Sequence, residues 1–345
     1  MIEPSSPSLH QGVRVVEVDA DRVGQRLDQF LMKLLPSVPR SRIYRIVRRG
    51  EVRVNGGRVA PERRLEAGDK IRVPPVRIEP EATSRRAPNH VLELIRNAIV
   101  SEDERLIVLD KPAGIAVHGG SGLSFGVIEA LRALRPEESL ELVHRLDRDT
   151  SGCLLIARKR SALRTLHELL REGRFEKRYL ALVKGPWDLG HKRIDMPLRT
   201  DTRVGGERTV RADASGKTAV SDFQPVQFFG RRATLLEVSI HTGRTHQIRV
   251  HATHVGHPVA GDEKYGDEEF NQEMRDLGLS RMFLHAHSVS FDWPQGGVFS
   301  ASTPLPPELA RVIENLGSLP AKPRFNTSRH GKAGFPKRRG QPNQR

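Results

Sequence analysis

Nine consecutive residues, His144-Arg145-Leu146-Asp147-Arg148-Asp149-Thr150-Ser151-Gly152, concentrate reactive side chains. They lie between apolar runs that end at Val143 and resume at Cys153. A polar loop carried by buried strands is where rigid scaffolds present catalytic groups. Asp147 and Asp149 are candidates for a carboxylate pair doing acid–base or nucleophilic work. Aspartate also caps turns, and spacing alone leaves both roles open.

Two other groupings invite chemistry. His246, His251, His254 and His257 cluster, and His251 and His254 are three apart on an expected helix, Thr245 to Val255. That spacing can hold a metal, but the chain has no HExxH-type pattern nearby and no cysteine partner. The histidines are read as polar packing or partner contacts, with no metal site. Cys153 is the only cysteine, so no intramolecular disulfide forms. It opens an apolar strand and is read as a buried thiol.

The elements that must position these residues follow from patterning. Arg26 to Leu35 has apolar residues at helical spacing and stops at Pro36. A second helix, Arg40 to Arg49, carries Arg40, Arg42, Arg45, Arg48 and Arg49 and ends at Gly50. Val52-Arg53-Val54 alternates like a strand into the turn Asn55-Gly56, and Lys70 to Val73 forms another strand. Further on, strands are expected at Leu106–Leu109, Leu142–His144, Cys153–Ala157, Tyr179–Val183, Thr218–Val226, Leu235–Ile240 and Phe283–Phe291. Helices are expected at Phe125–Leu134 and after a cap at Ser161, up to Gly173. Many strands without regular βαβ alternation predict an α+β fold with a mixed, largely antiparallel sheet.

Charge divides the chain. Residues 21–80 hold 15 Lys/Arg against 7 Asp/Glu, and residues 321–345 hold 8 Lys/Arg and no acid. Residues 81–320 hold 33 against 32, so the net charge of +15 sits on two flanking segments. A near-neutral body with basic attachments suits a polyanionic partner. The expected organisation is a disordered start (1–13), a small basic module (14–80), a linker (81–100), a catalytic body (101–319) and a basic disordered tail (320–345). Neither a signal-peptide pattern nor a membrane-length apolar run is visible, which points to a cytoplasmic protein with no membrane partner.

The motifs together resemble a known family. The Arg-rich second helix, Gly50, the hairpin and Leu65-x-x-Gly68-Asp69 resemble an S4 RNA-binding domain. His144-Arg145-Leu146-Asp147 with Thr150-Ser151-Gly152, Lys177-Arg178-Tyr179 and Gly243 to His251 resemble the pseudouridine synthases that modify ribosomal RNA. Lys111-Pro112-Ala113-Gly114 and Leu284-His285-Ala286-His287 are further family-like segments. The run His118 to Glu129 resembles the subgroup acting on the large ribosomal subunit.

This resemblance implies isomerisation of specific uridines in 23S rRNA, free or in a pre-50S particle, by a monomer with no cofactor. It implies Asp147 as the catalytic carboxylate, Arg249 as its cationic partner and Tyr179 as an aromatic against the base that also handles a proton. It further implies Ile248 as an apolar wall, Arg145 as the filler of the gap left by a flipped uridine and His144 as a substrate contact. Arg40, Arg42, Arg45, Arg48, Arg49 and Arg53 become the RNA contacts of the first module. Whether Asp147 attacks the ribose, attacks the base or acts at C2′ stays open. The rival readings are a non-catalytic RNA-binding assembly factor, against which intact Asp147, Tyr179 and Arg249 argue, and an RNA hydrolase using Asp147 and Asp149.

Overall fold

The computed structural model describes residues 12–19, 22–35, 38, 40–75, 87–119, 125–202 and 208–319. Most of the expected disordered start, part of the expected linker and the whole basic tail lie outside the described residues. Two compact units emerge, residues 1–86 and 87–345.

In the first unit, α1 (Leu27–Leu34) and α2 (Arg40–Arg48) accompany strands β1 (Arg14–Glu17), β2 (Arg53–Val54) and β3 (Lys70–Val73). The strands form an antiparallel sheet in the order β1-β3-β2. Ile43, Ile46 and Val47 of α2 are buried with Leu27, Phe30 and Leu31 of α1 and Ile71 of β3. Apolar spacings of three and four put one face of α2 in the core. Asn55 (φ 50°) and Gly56 (φ 79°) make the left-handed turn that their types favour. Asp28 is buried and accepts from Arg26 Nη2 (2.7 Å), Tyr44 Oη (2.7 Å) and Gln29 N (2.8 Å), joining α1 to α2.

The second unit begins with α3 (Asn89–Asn97) and β4 (Ile99–Glu102), in a stretch the sequence reading assigned to the linker. That boundary is corrected: Pro88 is the residue before α3, not a break in the chain's order, and Val91 and Ile95 enter the core. There follow β5 (Leu106–Lys111), α4 (Val127–Leu134), β6 (Glu141–Leu142), β7 (Ser151–Ala157), α5 (Arg160–Arg171) and β8 (Glu176–Lys184). Next come β9 (Lys192–Asp195), β10 (Leu198–Thr202), β11 (Arg208–Ala212), β12 (Val220–Phe229) and β13 (Ala233–Ile240). The unit closes with α6 (Gln247–His254), α7 (Glu268–Asp276), β14 (Leu284–Asp292), β15 (Val298–Ser302) and α8 (Pro307–Ser318). Ser161 does not cap α5, whose N-cap is Lys159.

Ten strands form one sheet in the order β4-β5-β7-β14-β8-β13-β12-β9, with β6 added on β7 and β15 on β14. Among the described residues only β7 and β14 pair in parallel, so the expected mixed, largely antiparallel α+β sheet is found. Residues of β7 alternate between two cores, as a strand's two-residue period requires. Leu154 and Ile156 join Ile95 and Leu131, whereas Cys153 and Leu155 join Leu166 and Leu169 of α5.

The parallel junction sets the position of the polar loop. Ser151 and Gly152 face His285 and Ala286 across it. Gly152 has φ 110°, and a Cβ there would lie 2.2 Å from the Ala286 carbonyl oxygen. Only glycine permits that approach, and the loop preceding β7 is thereby delivered to mid-sheet. Gly152→Ala should cost at least about 2 kcal/mol of stability and most of the turnover. An unchanged urea midpoint for the variant contradicts that role.

Candidate active site

The loop before β7 is fixed from several directions. Val143 N donates to Leu155 O (3.1 Å), and Leu155 N donates to His144 Nε2 (3.2 Å). Gly114 N and Lys111 Nζ both donate to Arg148 O (2.9 Å each). Lys111 is fully buried, and its ammonium also donates to Pro112 O and Ile115 O (2.7 Å each). Burial pushes that amine down to about 7, while the nearby Asp149 and Asp147 carboxylates favour its charged form. Three carbonyl acceptors satisfy all three ammonium hydrogens.

Within the loop, Asp147 and Asp149 part company. Asp149 pairs with Arg148 Nε at 3.1 Å, with Arg148 exposed and Asp149 half-buried. Asp147 is turned inward, with Oδ2 3.5 Å from Arg249 Nη1 and 4.0 Å from His246 Nε2. A small cavity of about 120 Å³ is lined by Asp147, Tyr179, Ile248, Arg145 and Leu284. A wider cleft of about 590 Å³ shares Asp147, Arg145 and Arg249 with it.

Arg249 is placed by a residue that the sequence reading missed. Its Nε and Nη2 donate to Asp262 Oδ2 (2.7 Å) and Oδ1 (2.8 Å), a two-bond fork. The fork is therefore spent on Asp262, leaving Nη1 to face Asp147. Asp262 Oδ1 also accepts from Lys264 N (2.9 Å) and Tyr265 N (3.0 Å). Burial opposes the Asp262 charge, but Arg249 and these backbone N–H groups outweigh it and hold its carboxyl below the usual range. The Arg249 guanidinium lies 5.0 Å from the Tyr265 ring centre.

His246 supplies a second contact beside Asp147. It adopts φ 53°, a left-handed conformation uncommon outside glycine. Its Nδ1 lies 2.8 Å from Tyr265 Oη, which accepts from Val210 N (2.9 Å). Burial lowers its pKa, with the Asp147 carboxylate opposing that shift. Nothing in the spacing of His246, Asp262 and Tyr265 links them; the hydrogen-bonded turn from Gly261 to Tyr265 does so only in three dimensions.

The remaining expected residues fall as follows. Tyr179 is buried on β8, and burial together with the Asp147 charge raises its pKa. Its phenol keeps its proton in the neutral range and can pack and donate. Arg145 is exposed and lines both cavities. His144 lines neither of them. Its Nε2 accepts from the Leu155 amide and burial pushes its pKa down to about 4, so it anchors the loop, while the residue lines a further adjoining cavity. His251 contacts Ser221 Oγ and Met196 O (3.2 Å each), a packing arrangement. The Cys153 thiol is buried and its pKa raised by that burial.

In the first unit, Arg45, Arg48 and Arg49 are exposed and Arg42 is half-buried. The Arg40 side chain lies outside the described residues. Arg53 donates to Gly50 O (3.4 Å) and Gly56 O (3.2 Å) and thus braces its own turn.

Comparison with known proteins bears on both units. An RNA pseudouridylate synthase family model matches residues 105–254, and an S4 domain model matches residues 25–71. The ribosomal large subunit pseudouridine synthase C of Pasteurella multocida is 51% identical over 311 residues, covering 89% of this chain and 95% of that protein. The protein of that name from Yersinia pestis is 54% identical over 287 residues, covering 83% and 89%. The Escherichia coli K12 protein is 50% identical over 309 residues, covering 88% and 97%. The solved structure of human RNA Pseudouridylate Synthase Domain Containing 4 shares the fold, with a TM-score of 0.55 at 24% identity over 66% of this chain and 96% of that chain.

Asp262→Asn should lower neutral-pH stability by about 3 kcal/mol, because it strands the buried Arg249 charge. The Asp262 carboxyl is depressed in the fold, so its stabilisation is full above about pH 4 and is lost as pH falls through the folded value. The variant's acid limb should be correspondingly shallower in pH-dependent unfolding. Wild-type stability across that range contradicts the role given to Asp262.

Proposed function

Because this chain belongs to the RNA pseudouridylate synthase family and carries an S4 domain, we propose that it converts specific uridines of 23S ribosomal RNA to pseudouridine with Asp147 as the catalytic carboxylate. The observation that carries this reading is the inward-turned Asp147, facing Arg249 and lining one small cavity with Tyr179 and Ile248. The reaction breaks the ribose C1′–N1 bond and forms C1′–C5. A proton leaves C5 and one is gained at N1, so nothing is oxidised, reduced or consumed. No cofactor is required by that balance.

Each group then has a physical task. Arg249 orients the Asp147 carboxylate and balances its charge. Tyr179 and Ile248 clamp the planar base, with the phenol available as a hydrogen-bond donor. A base in a duplex cannot reach a carboxylate set within this cavity, so the uridine leaves the stack. Arg145, exposed at the shared rim, fills the space it vacates. Arg45, Arg48 and Arg49 of the S4 unit meet phosphates, giving affinity without reading sequence. The protein acts as a monomer in the cytoplasm, on 23S rRNA or a pre-50S particle.

Mapping pseudouridine in rRNA from cells lacking this gene tests the assignment: specific large-subunit sites should revert to uridine, and an unchanged map rejects it. In purified protein, Asp147→Asn should leave under about 1% of turnover, a barrier increase of about 2.7 kcal/mol. Asp149→Asn should stay substantially active; the reverse pattern identifies Asp149 as the working carboxylate. Release of free uracil or cleaved RNA supports the hydrolase reading instead.

Replacing Arg45, Arg48 and Arg49 together with Ala should weaken rRNA binding evenly across sequences. The log–log salt slope should fall by about 2, at roughly 0.7 per phosphate contact on single strands. Native affinity with an altered choice of uridine places specificity in the S4 unit and contradicts the phosphate role.

A further inference from the structure

A third cavity of about 460 Å³ adjoins the base cavity and shares Arg145 and Tyr179 with it. Its other polar side chains are His144, His167, Lys177, His241 and Thr242, and none of its lining residues is acidic. Lys177 stands on β8 two residues before Tyr179, on the same face of the strand. Among the described residues its amine makes no hydrogen bond and no ion pair, and burial pushes that amine down to about 8. Its neighbour Arg178 is paired with Glu176 and Glu237.

The adjacent groups do not relieve Lys177. His144 is neutral, with Nε2 taken by the Leu155 amide. His241 Nε2 contacts Asp222 at 2.5 Å, and Asp222 also faces Arg193 at 3.5 Å, outside the cavity lining. A half-buried cation in a cavity with no acidic lining residue leaves an anionic ligand as the available counter-charge. The family's substrate is a polyanion whose target nucleotide carries a phosphate on either side.

We propose that this cavity seats a backbone phosphate flanking the flipped uridine, with Lys177 as its charge partner and His167 as a neighbouring hydrogen-bond donor. The inference rests on the assignment of the Asp147 cavity to the target base. It makes Lys177 a device for registering the strand, so that anchoring one flanking phosphate leaves the base over Tyr179. Lysine suits this task as a compact point charge.

The test uses the full-length protein and a synthetic rRNA hairpin containing a uridine that the wild type converts. Each phosphate flanking that uridine is replaced in turn by an uncharged methylphosphonate. Wild-type affinity should fall about ten-fold, the scale of one good charge-assisted contact, at one of these linkages. Lys177→Met should lose about ten-fold on the native hairpin and nothing more at that linkage. Lys177→Arg should recover part of the loss, and it carries the test should the methionine variant not fold. Losses that multiply at every linkage, or native affinity in Lys177→Met, overturn the phosphate site while leaving the enzyme assignment intact. A wild type that converts no uridine in any rRNA hairpin overturns the base-cavity reading, and this proposal with it.

Discussion

A single buried ion pair organises the reactive centre: the Arg249–Asp262 fork, with its two bonds of 2.7 and 2.8 Å. Two charges out of water are costly unless every lone pair and proton finds a partner. Asp262 meets that condition with the two guanidinium bonds and the Lys264 and Tyr265 amides. The fork uses Nε and Nη2, which leaves Nη1 directed at Asp147. Arg249 is thus pre-positioned by the fold and does not depend on substrate to orient it.

Three separate stretches of chain must meet for that arrangement to exist. Arg249 belongs to α6, Asp262 to the turn before α7, and Asp147 to the loop entering β7. The β7–β14 junction brings the last of these to the centre of the sheet, and Gly152 is the residue that allows the strands to approach. Lys111 closes the other side by binding carbonyls at Pro112, Ile115 and Arg148. Left-handed His246, buried Lys111 and the buried fork are each unfavourable as isolated features. Their concentration around one carboxylate fits a site in which local strain is held by surrounding structure.

Legibility in the sequence followed the range of the interactions. The S4 helices and the Asn55-Gly56 turn were readable because caps, breakers and apolar spacing act locally. Strands β5, β7, β8 and β13 were readable as apolar runs. Helix α3 falls in the stretch expected to be linker: it is short, and only Val91 and Ile95 of it are buried. Helix α7 is mostly polar, burying chiefly Phe270, Asn271 and Met274, and offers little periodic signal. Asp147, Tyr179 and Ile248 do share one cavity, as their motifs implied. Asp262 stayed hidden because its relation to Arg249 is purely tertiary.

If Asp262 acts on the reaction only through Arg249, the two residues form one unit that presents a cation to Asp147. A double-mutant cycle on single-turnover rates measures this directly. The account predicts that the chain carrying both Arg249→Ala and Asp262→Asn reacts no more slowly than the chain carrying Arg249→Ala alone. Losses that multiply in the double variant, with both proteins folded, contradict it and give Asp262 a role in the reaction independent of Arg249.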